Sequence, residues 1–229
     1  MKVLVFDIKS PLGHFKKPDA TATHLTYPFI TGTAIRGMLG SIIGLEEFTG
    51  KAFIGIQLLN PVQTVAQELS LLGKGFLASG GSFNRPTAIE LVVNPHYRIY
   101  YAGDYYDEIT QGIKESKSVY HTYMGSAFAL TFPVFVEELD LQPNAGLDIS
   151  SITVTPVAAI EKLHFHNDAG YARVGGMQYQ YLGKRRFAGT INLLYEIAGK
   201  PICFQRRQNI DEDFVRLLSY KDGECICLW

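Results

Sequence analysis

The order in which the apolar periodicity changes along the first 140 residues limits the fold more than any other feature. Lys2-Val-Leu-Val-Phe-Asp-Ile-Lys9 is an apolar run bounded by charges and reads as a strand. Ser10 to Thr31, punctuated by Pro11, Gly13, Pro18 and Pro28, reads as irregular. Thr33 to Gly44 then carries Ile35, Met38, Leu39, Ile42 and Ile43 on one helical face, with Thr31 or Thr33 as cap. Ala52 to Leu59 is a strand. Asn60 to Val92 holds an amphipathic piece (Val65 to Leu72) and then Gly73, Gly75, Gly80, Gly81 and Pro86, an excursion that reads as a hairpin. Tyr97 to Ala102 is a strand, Asp104 to Lys117 a helix capped by Asp104, and Phe128 to Val136 a strand. Strand, helix, strand, strand, helix, strand is the β-α-β-β-α-β succession of a ferredoxin-like α+β domain. The remainder is β-rich, with strands at Ile152 to Ile160, Tyr179 to Leu182, Thr190 to Ile197, Ile202 to Gln205 and Cys225 to Trp229, and a short helix at Asp211 to Leu218. The expected division is a domain over 1–140, with its insertion at about 61–90, and a β-rich region over 141–229 packed on it.

Apolar residues at 47% against 19% charged supply a buried core. Twenty-one basic against 22 acidic residues leave a net charge of −1, which argues against a protein that binds nucleic acid through bulk positive charge. The charge is uneven. Ala169 to Ile210 holds seven bases and one acid, whereas Glu137 to Asp168 holds six acids and one base. Local basic surfaces are therefore open to the chain. Three cysteines, Cys203, Cys225 and Cys227, do not make a disulfide framework and suit a reducing cytoplasm. No signal peptide and no bilayer-spanning run is read.

Phosphate-loop, dinucleotide, zincin and serine-hydrolase motifs are absent from the sequence. Cys225-x-Cys227 lacks a second pair, and His164-x-His166 lacks a clear third ligand, so no metal and no cofactor is expected. The chemistry-bearing segments are of another kind. His14-Phe-Lys-Lys17 followed by Thr23-His-Leu-Thr-Tyr27 mixes cations, aromatic rings and hydroxyls, the mixture that holds single-stranded nucleic acid. Tyr120-His-Thr-Tyr-Met-Gly125 offers stacking rings, and His121 with Lys117 four residues earlier offers acid–base groups for RNA cleavage. Gly37, Gly40 and Gly44 line one side of the first helix, where either a ligand or a packed element comes close.

Four segments in order resemble family five of the CRISPR-associated (Cas) proteins. They are Val3 to Phe15; Leu25-Thr-Tyr-Pro through Gly44; Val93-Asn-Pro-His-Tyr-Arg-Ile-Tyr100; and Val119-Tyr-His-Thr-Tyr-Met-Gly-Ser126. The resemblance implies an RRM-related, ferredoxin-like RAMP domain with an inserted thumb at about Pro61 to Arg85. Its implied place is the foot of a type I Cascade for antiviral defence, holding the five-prime handle of the crRNA and contacting the large subunit and the adjacent backbone subunit. The residues placed at the RNA are His14, Phe15, Lys16, Lys17, Thr26, Tyr27, Arg36, Gly37, Arg85, Tyr120, His121 and Tyr123. The glycine-rich thumb tip near Gly73 to Arg85 would pack on a neighbouring subunit. One branch of the family cleaves pre-crRNA without metal using Tyr, Lys and His. Tyr27, Lys117 and His121 are the nearest counterparts, but no adjacent Lys-His pair is present, so the reading is a non-catalytic RNA-binding subunit with a metal-independent endoribonuclease as the alternative. Neither a membrane nor a small-molecule substrate is implied.

Overall fold

Residues 1–18, 23–74 and 82–229 are described by a computed structural model of the chain. The first part runs β1 (Lys2–Lys9), β2 (Leu12–Gly13), α1 (Gly32–Ile43), β3 (Ala52–Leu58), β4 (Thr64–Lys74), β5 (Ser82–Val93), β6 (His96–Gly103), α2 (Tyr106–Lys114) and β7 (Val134–Asp140). Four of these strands form an antiparallel sheet in the order β3-β6-β1-β7. β1 is a nearly continuous apolar run because both of its faces are covered. Leu4, Phe6 and Ile8 pack with Ile35, Leu39 and Ile42 of α1 and with Ile109 and Ile113 of α2. Val3 and Val5 face the other way and pack with Tyr100, Leu218, Ile226 and Leu228. The glycine-bearing excursion is the long hairpin β4–β5, whose base also pairs with β2. Residues 75–81 of the expected thumb tip lie outside the described residues.

Thr31 caps α1 by accepting a bond from the Ala34 amide, and Gly44 ends it in the left-handed region at φ 81°. The second helix is shorter than its expected span of Asp104 to Lys117. Asp104 does not cap it: its carboxylate accepts the Lys51 amide instead, and Tyr105 at φ 60° stands at the cap position. The strand expected from Phe128 begins only at Val134, where pairing with β1 begins. Phe128, Leu130 and Phe132 project outward from the preceding loop.

The chain continues through β8 (Asp148–Ser151), β9 (Thr155–Pro156), β10 (Ile160–Leu163), β11 (Tyr171–Tyr181), β12 (Phe187–Glu196), β13 (Ile202–Arg206), β14 (Arg216–Ser219) and β15 (Cys225–Leu228). A five-stranded sheet has the order β10-β13-β8-β15-β14, and a smaller one the order β11-β12-β9. The single strand expected from Ile152 to Ile160 is only the two-residue β9, followed by the 3-10 turn Val157–Ala159 and the first residue of β10. The helix expected at Asp211 to Leu218 is a turn on the Asp211 carbonyl followed by β14, because pairing with β15 outweighs the local pattern. β11 starts eight residues before its expected Tyr179, and Gly175-Gly176 sit in its register shift. The end of the chain buttresses the beginning of α1. Trp229 exchanges backbone hydrogen bonds with Ile54, and a Cβ on Gly32 would lie 3.0 Å from its indole. No helix among the described residues is long and apolar enough to cross a membrane.

Candidate nucleic-acid interface

In the loop between β2 and α1, residues 14–18 and 23–27 pair antiparallel as two hairpin arms bridged at Lys16 and Thr26. Tyr27 donates its amide to the Phe15 carbonyl, Lys17 donates to the Leu25 carbonyl, and Phe15 donates to the Thr26 hydroxyl at 2.8 Å. One side of this stem leans on β5: the His24 amide meets the Ala88 carbonyl, and the Thr26 amide meets the Glu90 carboxylate. The other side leans on the 120–131 loop, where the His14 amide meets the Met124 carbonyl. The apolar side chains are spent on this framework, Phe15 being 3% exposed and Tyr27 7%. The cations are left over: Lys16 is exposed, and Lys17 is half-buried with its ammonium 5.9 Å from the centre of the Tyr27 ring.

Two clefts flank this hairpin and share Pro18 and Tyr27. One, of about 300 Å³, is lined by His14, Lys16, Thr31, Thr33 and Ala34, with Met177 and Gln178 of β11 opposite. The other, of about 330 Å³, is lined by Lys17 and by Arg173, Gly175 and Gly176. The first therefore opens at the N-terminus of α1, whose first turn holds no acid and whose amide dipoles favour an anion. His24 registers the same field. Its pKa is held below the ordinary histidine value, first by loss of solvent and then by the charges of Lys16, His14 and Arg85. His14 and His24 lie ring to ring at 6.3 Å, and His14 Nδ1 is 2.8 Å from the Glu90 carbonyl, so Nδ1 carries the proton. Lys16 and a helix N-terminus in one cleft, and Lys17 and Arg173 in the other, thus flank Tyr27, an arrangement suited to a phosphodiester backbone.

The residues expected at RNA separate into groups. His14, Phe15, Lys16, Lys17, Thr26 and Tyr27 build or line the groove, and Arg85 projects from β5 near His24. Arg36 is placed differently. Its guanidinium donates to the Gly50 carbonyl at 2.7 Å and the Ala52 carbonyl at 3.0 Å, stands over the Phe48 ring, and loses basicity through burial. It ties α1 to the start of β3, and we leave it out of the proposed RNA contacts. Arg36→Ala is expected to cost about 3 kcal/mol, from two charge-assisted hydrogen bonds. Scanning calorimetry would read this as a fall in Tm of roughly 6–12 °C, with RNA affinity of the folded protein unchanged; an unchanged Tm with weaker RNA binding would restore it to the groove. Gly37 is exposed on α1, with open space where a Cβ would sit.

Tyr120, His121 and Tyr123 are exposed on the 120–131 loop. Its start is fixed at the far end of α1, where the Val119 and Tyr120 amides meet the Ile42 and Ser41 carbonyls. Lys117 lies just before, with its ammonium on Glu115 at 2.8 Å. Tyr27 lies by the opposite end of α1, about 18 Å away along a 12-residue helix. Lys117 and the start of the loop are therefore remote from Tyr27, although Gly125 farther along the loop lines the same cleft as Tyr27. Gln178 is a groove residue that the sequence reading did not single out, while Arg173 stood there only as one of a run of basic residues, and Thr31 and Thr33 only as helix caps. The Gly175-Gly176 pair inside an apolar strand pattern was the available signal, since such glycines mark a bulge or a close approach. Among the described residues no group of three His, Cys, Asp or Glu side chains could hold a metal ion. His164 instead faces Asp148 at 3.4 Å, and burial pushes the Cys225 thiol up to about 12.

No family model matches the chain, and no curated protein matches it. Its fold is found among solved structures. A CRISPR protein from Archaeoglobus fulgidus superposes with a TM-score of 0.61 at 12% identity, covering 99% of this chain and 98% of that one. A chain of a CRISPR RNA-guided surveillance complex superposes with a TM-score of 0.57 at 12% identity, covering 87% of this chain and 91% of that one. The similarity spans both the four-stranded sheet and the β-rich remainder.

Proposed function

We propose that the chain is a crRNA-binding subunit of a type I CRISPR Cascade, a member of Cas family five acting in antiviral defence in the cytoplasm. The order β3-β6-β1-β7 with two helices on one face supports reading it as a ferredoxin-like, RRM-related domain with β4–β5 as the thumb. The observation that carries the reading is the pair of adjoining clefts beside the first turn of α1, where Lys16 lines one and Lys17 and Arg173 line the other although the whole chain is near neutral. Local charge of this kind holds one short strand in place without general affinity for nucleic acid. The strand proposed is the five-prime handle, with phosphates on the cations and α1 amides, and Tyr120 and Tyr123 available for stacking.

Neighbouring subunits have a surface to bind as well. Phe128, Leu130, Phe132 and Val134 are 55%, 47%, 71% and 56% exposed in one stretch of chain, an apolar surface that a backbone or large subunit would cover. The endoribonuclease alternative is disfavoured by Lys117, which stands beyond the far end of α1 from Tyr27 with its ammonium on Glu115. Incubating the purified chain with labelled repeat RNA in EDTA tests both readings. Retention of intact RNA is the expected result. Specific cleavage that disappears in His121→Ala would overturn it.

A further inference from the structure

The hairpin β11–β12 ends in a turn that its sequence does not favour. Gly183, Lys184 and Arg185 have φ of 81°, 51° and 57°, and the Arg186 amide closes the turn on the Gly183 carbonyl at 3.0 Å. Positive φ at both central residues makes this a type I′ turn, where Asn-Gly is the preferred pair. Lysine and arginine occupy those positions instead. The backbone is held there from outside: both carboxylate oxygens of Glu47 accept the Lys184 amide, and Glu47 Oε1 also accepts the Tyr181 hydroxyl at 2.8 Å. A left-handed backbone kept at non-glycine residues by a dedicated anchor points to a use for the side chains it presents.

Those side chains lead a ribbon of one character. Val174, Met177, Ile191 and Leu193 face the core, and beyond the groove the opposite face presents Gln180, Thr190 and Asn192. The hairpin's one carboxylate, Glu196, is buried and accepts the Gly170, Ala198 and Lys200 amides, so it does not oppose the field. Among the described residues no ion pair engages Arg173, Lys184, Arg185 or Arg186. The turn lies roughly 25 Å along the strand from the Gly175-Gly176 bulge at the groove, at about 3.3 Å per residue.

We propose that this ribbon and its Lys184-Arg185-Arg186 turn are a second nucleic-acid surface, and that its ligand is double-stranded DNA. The rings of the hairpin are engaged by other rings, Tyr171 with Phe165, Tyr179 with Phe214 and Tyr181 with Phe187, whereas amides and cations lead out to the turn, so a single strand finds no unengaged stacking platform there. A two-stranded β-ribbon fits the major groove of B-form DNA, whereas the deep, narrow groove of an RNA duplex excludes it. Guanidinium forks at the turn then meet phosphates bidentately.

The test uses the full chain and fluorescence anisotropy with a labelled mixed-sequence DNA duplex of about two helical turns. Lys184→Asn with Arg185→Gly installs the preferred turn while removing two charges, so Tm is expected to hold or rise. Duplex affinity at 0.1 M salt should fall roughly 10- to 100-fold, and the slope of log affinity against log salt should shrink by about two. Unchanged duplex affinity would overturn the proposal. So would an equal loss on single-stranded RNA or an RNA duplex, or equally effective competition by polyglutamate, which would reassign the turn to an acidic protein. Lys16→Ala with Lys17→Ala serves as the separating control: it should weaken RNA binding and leave the DNA duplex bound, so the handle reading and this one fail independently.

Discussion

Replacing Lys16, Lys17 and Arg173 together by alanine is expected to weaken binding of single-stranded repeat RNA by roughly 100-fold at 0.1 M salt, with the salt slope falling by about two. The three cations line the two clefts around Pro18 and Tyr27, and each faces solvent enough to exchange a counterion for a phosphate. Stability should change little, since the hairpin is held by backbone bonds and by the buried Phe15, Thr26 and Tyr27. The one packing loss is the Lys17 contact with the Tyr27 ring, about 0.5–1 kcal/mol. A salt titration by anisotropy separates the outcomes. A large loss with an unchanged slope would mean that the substitutions distort the loop and do not remove phosphate contacts.

Gly125→Ala is expected to produce the largest single loss of stability, about 4 kcal/mol, from a left-handed backbone and an overpacked contact acting together. Gly125 has φ 79°, and a Cβ there would fall 2.0 Å from the His14 carbonyl oxygen and 2.9 Å from the Phe15 ring. The neighbouring bond from the His14 amide to the Met124 carbonyl joins the same two segments. Any accommodation therefore displaces the strand that carries Lys16 and Lys17, and RNA affinity should fall with Tm. Gly37→Ala is the contrasting case. It adds a methyl to open space on a helix, and should raise stability by about 0.8 kcal/mol without touching the groove. Equal Tm values for Gly125→Ala and the parent would refute the contact.

How much of this is legible in the sequence depends on the range of the forces involved. The succession of strands and helices and the Thr31 cap follow from local periodicity and capping chemistry. So does the suspicion that falls on His14 to Tyr27, whose cations and rings are adjacent in the chain. The opposite wall was legible only in part, Arg173 as one member of a basic run and Gln178 not at all. Arg173 and Gln178 reach the groove only because β11 packs against α1, and the sequence places them far downstream. Arg36 misled for the inverse reason. It is close to the loop in sequence, yet its guanidinium is captured by carbonyls at the start of β3. Phe128, Leu130 and Phe132 have strand propensity, and what directs them outward is the pairing of Thr122 with Thr131 and of Met124 with Ala129. The strand at Arg216 to Ser219 exists because β15 is there to pair with it.

The central claim is that RNA lies in the groove between the His14–Tyr27 hairpin and β11. Ultraviolet crosslinking of the crRNA inside the assembled complex, followed by mass spectrometry of the crosslinked peptides, tests it directly. Crosslinks are expected from the five-prime end of the crRNA to peptides containing His14 to Tyr27 and Arg173 to Gln178 of this chain. Crosslinks to every neighbouring subunit with none to those peptides would contradict it.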